Sequence, residues 1–448
     1  PGARPREIAR AALLALVVAA LAYLYLPIAA SRHPALNWGD PSSLARFWRH
    51  VSGRQYQVYL AIGPDDLGAQ VREIAGYVGR EFGPPWLPVA LALAALGLLA
   101  AWRTDRGFAL ALCAIGAADL GLSLIYDIAE DQDAYLLPLF FALALALGLG
   151  IATLIGRLPA GRRARLAAPV LALLPAAIAF AANLPYDDRH RDRLAEQYVE
   201  DALHVVAPGS LILTLDWQLY SPMRYFQDIE GRRRDALAID LNLLRRSWYL
   251  ADLRRAAPAV LAEVRPEADA YLVDLLAWEA DPQRFGSDPA RVGRLSQRYR
   301  TLVTALAERQ LRHGRLYATH DLISGAPEND PEAHQALGSY QAVPRGILFE
   351  LTRGPEVRPL APLRLAALPS LFGGVRRFAP DDVVEKKILP VYVDAFLFQA
   401  TYLAGNHLPD QALATLDQGL AAIPEGNPTR DLLARRRGEI AGSATLPP

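Results

Sequence analysis

Apolar residues are concentrated in the first 184 positions, where they form runs long enough to cross a membrane. A helix of about 17–25 apolar residues spans the ~30 Å hydrocarbon core of a bilayer. The pattern predicts an α-helical transmembrane domain over residues 1–184, with a long outer loop at 29–85. Its five predicted spans are Ala11–Ile28, Trp86–Trp102, Gly107–Ile125, Ala134–Ile155 and Leu166–Leu184.

The short polar segments beside these spans alternate in charge, which predicts their orientation. Arginines close to a span end are retained in the cytoplasm. The N-terminus is therefore expected inside and everything after Leu184 outside. The basic clusters are Arg4, Arg6 and Arg10, then Arg103 and Arg106, then Arg157, Arg162, Arg163 and Arg165; the acidic connector holds Asp127, Glu130, Asp131 and Asp133.

The first span also has features of a signal peptide, because a basic stretch precedes its apolar run. Its end is bulky and aromatic, with Tyr23 and Tyr25 where a cleavage site needs small residues. An uncleaved membrane helix is the favoured interpretation, and a cleaved leader is the alternative.

The overall composition excludes some classes of binding partner and indicates the cellular compartment of the protein. The chain has 448 residues, with 47 Lys+Arg balanced by 47 Asp+Glu, so no nucleic-acid partner is predicted. A single cysteine, Cys113, allows no internal disulfide and no Cys-based zinc site. No metal or other cofactor is predicted. An external domain without disulfides fits a bacterial protein, integral to the cytoplasmic membrane.

After Leu184 the pattern changes to short apolar strands between charged helices. This alternation predicts a soluble α/β domain over residues 185–380. The first two strands flank a helix, which implies parallel pairing with a right-handed crossover. The four predicted strands are Ser210–Leu215, Ala236–Ile239, Arg315–Ala318 and Gly346–Leu351.

Two aspartates follow the first two of these strands, and aromatic residues lie close to them in sequence. Open α/β sheets bind ligands at the carboxyl ends of their strands. Carboxylates beside aromatic rings suit a sugar or a peptide. The alternative is structural: Asp216 caps the next helix and the tryptophans are core. The candidate contacts are Asp216, Trp217, Tyr220, Asp240, Arg245 and Trp248.

Residues 381–448 are predicted to form a helical hairpin of tetratricopeptide type. Ala412, Leu416, Gly419 and Leu420 fall at the spacing of the second helix of such a repeat. A single repeat cannot bury its own core. It is therefore expected to pack on Asp431–Ile440, on the preceding domain or on a partner.

The outer loop contains bases mixed with aromatic residues. Ser43–Val51 is a predicted amphipathic helix that places Arg46, Arg49 and His50 on one face. One interpretation is an interfacial helix anchored by its rings. The other is a site for an anionic lipid headgroup, with Arg49, His50 and Arg54 binding the phosphate. Asp119, inside the third span, is either functional or satisfied by a helix–helix hydrogen bond.

Several of these segments together resemble a known membrane family. They are Asn37-Trp38-Gly39-Asp40, the stretch from Phe47 to Tyr56, Asp133-Ala134-Tyr135, Leu215–Pro222 and Asp240–Tyr249. They are similar to the multispanning protein O-mannosyltransferase-like family of the GT-C glycosyltransferase superfamily. The resemblance covers most of the chain, and terminal tetratricopeptide-like helices also occur in relatives.

The resemblance implies a membrane enzyme that moves a sugar, such as mannose, from polyprenyl phosphate to protein hydroxyls outside the cytoplasm. Arg49, His50 and Arg54 would then bind the donor phosphate, and Asp133 would contact sugar or metal. Family members begin with further spans that carry a catalytic acid, and nothing comparable precedes Ala11. We therefore expect a C-terminal portion of such an enzyme, inactive alone, whose catalytic residues are unknown and whose partners are membrane lipid, the acceptor protein and a separate N-terminal membrane subunit.

A second hypothesis comes from a different functional class. The chain would be a non-enzymatic envelope scaffold, or assembly protein, that recruits partners through its tetratricopeptide-like end.

Overall fold

The computed structural model describes residues 5–60, 67–83, 86–126, 132–158, 161–325, 330–355, 357, 360–373, 378 and 382–444. The backbone forms two compact units. The first consists of Pro1–Ser31 and Pro41–Arg189, and the second of Arg32–Asp40 and His190–Pro448. The segment Arg32–Asp40, part of the predicted outer loop, thus belongs to the second unit. Arg4 and three residues of the acidic connector, Asp127, Glu130 and Asp131, lie outside the described residues.

The first unit is helical throughout its described part. A short 3₁₀ helix at Arg54–Tyr59 follows the second helix. The α-helices are α1 (Pro5–Ala30), α2 (Leu44–Val51), α3 (Leu67–Phe82), α4 (Leu87–Thr104), α5 (Arg106–Ile125), α6 (Gln132–Tyr135), α7 (Leu137–Gly156) and α8 (Arg162–Asp187).

The five predicted spans correspond to α1, α4, α5, α7 and α8, each long and apolar enough to cross a bilayer. One predicted boundary is wrong. The span expected to begin at Ala134 begins at Leu137, because a turn at Leu136 separates α6 from α7 and Pro138 lies in the first turn of the new helix.

Small residues allow α4 and α7 to approach closely. A methyl group added at Gly97 would lie 1.9 Å from the carbonyl oxygen of Ala146. One added at Gly150 would lie 1.8 Å from that of Leu93. Membrane helices associate through small residues because lipid provides no hydrophobic drive between them.

Asp119, the acid within α5, accepts a hydrogen bond at α7. Its Oδ2 accepts from the backbone N–H of Leu139, at 3.0 Å. Leu139 lies in the first turn of α7, where backbone N–H groups have no partner within the helix. The structure therefore favours the helix–helix hydrogen bond over a functional role for Asp119.

The second unit is built on one five-stranded mixed sheet. Its strand order is β2-β1-β3-β5-β4; β1 pairs with β2 and β3 in parallel, and β5 pairs antiparallel with β3 and β4. The strands are β1 (Leu211–Thr214), β2 (Leu237–Asp240), β3 (Leu316–Thr319), β4 (Gln341–Arg345) and β5 (Leu348–Thr352).

The predicted parallel β-α-β unit is confirmed by the pairing of β1 with β2. All four predicted strands are present with boundaries shifted by one or two residues. The sequence misses β4, because Gln341–Arg345 has no continuous apolar run and contains Pro344. Proline is tolerated there because β4 lies at the edge of the sheet.

Helices surround this sheet, and their buried faces form one continuous hydrophobic core with it. Along the chain they are α9 (Leu194–Val205), α10 (Trp217–Asp228), α11 (Ser247–Ala256), α12 (Pro258–Glu263), α13 (Arg265–Ala280), α14 (Pro282–Gly286), α15 (Pro289–His313), α16 (His320–Ser324), α17 (Pro331–Leu337), α18 (Leu368–Phe372), α19 (Leu389–Gly405), α20 (Pro409–Ala422) and α21 (Pro428–Ala444).

The last three helices belong to the same core. The stretch Val384–Gly405, which contains α19, is also long and apolar enough to span a membrane. Its Tyr392 and Phe396 are fully buried in the core of this unit, so its apolar character reflects packing inside protein. The hairpin of α19 and α20 packs on α21 as well, where Leu433 contributes to the core.

Candidate functional site

The Asn37–Asp40 loop forms a tight turn that is bonded to α11 within the second unit. Gly39 and Asp40 have φ values of 73° and 42°, and the Asn37 side-chain amide donates to Asp40 Oδ1 at 2.9 Å. The backbone N–H of Asn37 donates to Asp252 Oδ2 at 3.2 Å. Asn37 and Asp252 are both buried. The turn thereby fixes the position of Trp38.

Trp38 packs against two tryptophans that are distant in sequence. Its ring centroid lies 5.6 Å from that of Trp217 and 5.1 Å from that of Trp248. Trp248 is buried, whereas Trp217 is 40% exposed. In this cluster Trp217 is the ring most exposed to solvent, and Trp38 contacts both of the other rings. Predicted loop and sheet residues thus lie together in this cluster.

Tyr220 joins this aromatic cluster to the sheet. Its ring contacts that of Trp217 at 5.9 Å, and its hydroxyl lies 2.9 Å from the Tyr249 hydroxyl. The Tyr249 hydroxyl in turn accepts from the backbone N–H of Asp240 at 3.1 Å. Burial raises the pKa of Tyr220 to about 12, so it remains a neutral hydrogen-bonding group. Tyr249 was not among the contact residues predicted from the sequence.

Aspartates lie at the carboxyl ends of all three parallel strands. Asp240 is the last residue of β2, Asp216 follows β1 by two residues, and Asp321 follows β3 by two. Burial raises the pKa of each carboxyl group, and for Asp240 and Asp321 the repulsion from neighbouring aspartates adds to this effect and brings the pKa to about 6. Asp240 and Asp321 can therefore exchange protons near neutral pH, as an acid or base must.

Hydroxyl groups link two of these carboxylates. Tyr198 donates to Asp216 Oδ2 at 2.6 Å, and Thr319 Oγ1 lies 2.6 Å from Asp321 Oδ1. The Thr319 and Thr214 hydroxyls are 3.2 Å apart, and Thr214 Oγ1 accepts from the backbone N–H of Asp216. The arrangement orients the acids across β1 and β3.

Asp216 also has the structural role that the sequence offered as an alternative. Its Oδ1 accepts from the backbone N–H of Leu219 and caps α10. Its Oδ2 accepts from Tyr198. Asp321 was not predicted from the sequence, although the pattern that identified Asp216, a strand followed closely by Asp, recurs there.

His320, between β3 and Asp321, extends the polar edge. Its Nε2 lies 3.0 Å from Asp394 Oδ2, and its Nδ1 lies 3.0 Å from the Ser324 hydroxyl. That hydroxyl also donates to the His320 carbonyl oxygen at 2.7 Å. The imidazole is thus oriented by groups on α16 and α19.

Arg245, a predicted sugar or acceptor contact, already binds partners within the protein. Its guanidinium lies 2.8 Å from Asp330 and 3.2 Å from Glu332, and it stacks 4.0 Å above the Tyr299 ring. These contacts connect it to α15 and α17. Its observed role is structural.

The predicted phosphate ligands belong to the first unit. Arg49 and His50 are half-buried on α2, whereas Arg54 is exposed at the start of the 3₁₀ helix. Gly53, two residues beyond the end of α2, has φ 61°, so the chain turns between His50 and Arg54. Tyr56 is 40% exposed in the same 3₁₀ helix.

The α2 helix is amphipathic, and none of its residues is buried. Leu44, Phe47, Trp48 and Val51 recur at helical spacing, and Leu44 and Trp48 are 83% and 68% exposed. Exposed apolar groups opposite a basic face suit a helix lying in the membrane interface. The same basic face suits a lipid phosphate, so both interpretations of this helix are compatible with its structure.

Asp133, the other predicted ligand, is exposed and bonds locally. Its Oδ1 accepts from the adjacent backbone N–H of Ala134 at 3.0 Å. No group of three or more His, Cys, Asp or Glu side chains suited to a metal occurs among the residues that the structure describes.

Comparison with protein-family models, curated proteins and solved structures gives no match for this chain.

Proposed function

We propose that this chain acts in membrane glycosyl transfer, handling a sugar carried on polyprenyl phosphate for delivery to protein hydroxyls outside the cytoplasm. The observation that carries the proposal is the packing of Trp38 on Trp217 and Trp248. These residues come from the separate segments on which the family resemblance rests. A single ligand site built from these three segments requires that they meet in space, and the packing of the three rings brings them together.

The chemistry of this region suits a sugar. An exposed indole offers a flat apolar surface, and the neighbouring Asp216 carboxylate can accept hydrogen bonds from hydroxyl groups. Asp240 and Asp321 hold further oxygens at the same edge of the sheet. We propose that this edge binds the sugar or the acceptor, while Arg49, His50 and Arg54 bind the donor phosphate.

The scaffold hypothesis has less support, because the apolar faces of the terminal helices are occupied within the chain. Ala412 and Leu416 of α20 are fully buried, as is Leu433 of α21. A methyl group at Gly419 would come within 2.8 Å of the Leu433 side chain. Among the described residues, the core face of the hairpin is therefore covered within the chain and leaves no apolar surface that a partner must bury.

Tryptophan fluorescence tests sugar binding at the aromatic cluster. Methyl mannoside, titrated into the full chain in nanodiscs, should change the emission of the wild type. A Trp217→Ala variant should lose the response, whereas Trp86→Ala should keep it, because Trp86 is similarly exposed but belongs to the first unit. No response from the wild type, or an unchanged response from Trp217→Ala, would contradict the proposal.

A further inference from the structure

A cavity of about 500 Å³ in the second unit is lined by basic side chains. Arg315, Arg345 and Arg364 contribute guanidinium groups, and His204 contributes an imidazole. None of the described residues that line it is Asp or Glu. A cavity of this volume accommodates a small organic ligand.

Two of the arginines share one carboxylate that lies behind the wall. Arg345 Nε is 2.9 Å from Glu350 Oε2, and Arg315 Nε is 3.7 Å from Glu350 Oε1. The Glu350 side chain is only 3% exposed. It therefore holds both guanidinium groups in place at the cavity wall.

Arg364 differs because it has no hydrogen-bond or ion-pair partner anywhere in the part of the chain that the structure describes. Its backbone, however, is held firmly on both sides. Leu363 O accepts from the Gln418 side chain at 2.5 Å, and Asp201 accepts from the backbone N–H groups of Ala366 and Ala367 at 2.6 and 3.0 Å. The anchored segment presents an unpaired cation at the cavity wall.

We propose that this cavity binds the phosphate group of a small ligand. Guanidinium groups present planar, paired N–H donors that match phosphate oxygens, and a charged pair makes the stronger class of hydrogen bond. The inference does not rest on the proposed glycosyl transfer. It uses no residue of the aromatic cluster or of α2, so each can fail without the other.

Calorimetric titration of the full chain in detergent with inorganic pyrophosphate tests the site. Arg364→Gln should weaken binding by about tenfold, as expected for one lost charge-assisted hydrogen bond. Because Arg364 is exposed and unpaired among described residues, its variant should melt like the wild type. Arg191→Gln is the matched control: Arg191 is also exposed, has no partner among described residues and lies outside the cavity.

Competition then identifies the source of the phosphate. Displacement of pyrophosphate by glucose 1-phosphate indicates a soluble ligand, whereas displacement only by nanodiscs containing phosphatidate indicates a lipid headgroup. Either result supports the site. Absence of pyrophosphate binding up to about 10 mM, or equal weakening by Arg364→Gln and Arg191→Gln, would overturn it.

Discussion

The ring of Trp38 lies 5.1 Å from that of Trp248, with 51° between their planes. The two residues are far apart in sequence, yet Trp38 covers an indole whose Nε1 is buried without a partner among described residues. This contact fixes the segment Arg32–Asp40 on the second unit, together with the hydrogen bond from Arg224 to the Ala35 carbonyl oxygen.

Removing the Trp38 ring should destabilise the second unit. Trp38→Ala loses two aromatic contacts and leaves a gap over Trp248, so we expect a cost of about 2–3 kcal/mol. In a domain of this size that lowers the melting temperature by several degrees, about 2–4 °C for each kcal/mol. Thermal unfolding in detergent measures it. Trp48→Ala removes a largely exposed ring of α2 and should leave this transition unchanged. An equal fall in melting temperature in both variants would argue against a role of Trp38 in packing the second unit.

The raised pKa of Asp240 predicts that its contribution to stability falls with increasing pH. Its pKa is about 6 in the folded state, against about 3.9 in an unfolded chain. The folded state therefore binds more protons between these values, and the free energy of unfolding decreases as pH rises from about 4 to about 6. A shift of two units corresponds to at most about 3 kcal/mol.

Asp240→Asn should remove this effect, because an amide oxygen can still accept from the Leu243 N–H but carries no charge. Melting temperatures at about pH 4.5 and pH 7.5 should then differ less than in the wild type. Asp235 provides a control of opposite sign. A hydrogen bond from Arg233 lowers the pKa of Asp235, so the stability that Asp235 contributes is lost as pH falls. Asp235→Asn should therefore raise the melting temperature at about pH 4.5 relative to that at about pH 7.5, compared with the wild type.

The α4–α7 contact should tolerate no side chain at Gly150. Gly150→Ala places a methyl group 1.8 Å from the Leu93 carbonyl oxygen, so the helices must separate, at a cost of about 1–3 kcal/mol. Gly148, two positions earlier on the same helix, has nothing within 4 Å of the corresponding point. Gly148→Ala should be neutral or slightly stabilising. Equal resistance of the two variants to denaturation in detergent would refute the close approach.

Membrane orientation is predicted from charge alone and needs its own test. Reporter fusions after Arg106 and after Arg165 should be cytoplasmic, and fusions after Asp133 and after Asp188 should be external. A cytoplasmic signal from the Asp188 fusion would reverse the predicted position of the second unit.

Local patterns predicted the spans and the parallel strands because each depends on residues close together in sequence. Apolar runs identified β1 and β2, but β4 lacks such a run and was missed. The burial of α19 depends on its packing inside the second unit, which involves residues distant in sequence. Judged by its apolar sequence alone, α19 therefore resembles a membrane span.

The candidate site was predictable only in part, because local patterns do not show which residues distant in sequence come together. Asp216 and Asp240 were found because each follows a strand. Asp321 joins them through the pairing of β1 with β3, which brings together residues about a hundred positions apart. The contact of Trp38 with Trp217 and Trp248 likewise depends on tertiary structure, and no local pattern indicates it.

Binding of a polyprenyl-phosphate sugar to the full chain in nanodiscs tests the central proposal most directly. Arg54→Ala should weaken binding by about tenfold or more, since one charge-assisted hydrogen bond contributes roughly 1.5–3 kcal/mol. Arg54→Lys should restore only part, because Lys lacks the bidentate fork. Arg72→Ala is the matched control, an exposed arginine of α3 in the same outer loop. The proposal predicts a selective loss in Arg54→Ala; equal affinity of the Arg54→Ala and Arg72→Ala variants would contradict it and leave α2 and the following turn as a membrane anchor.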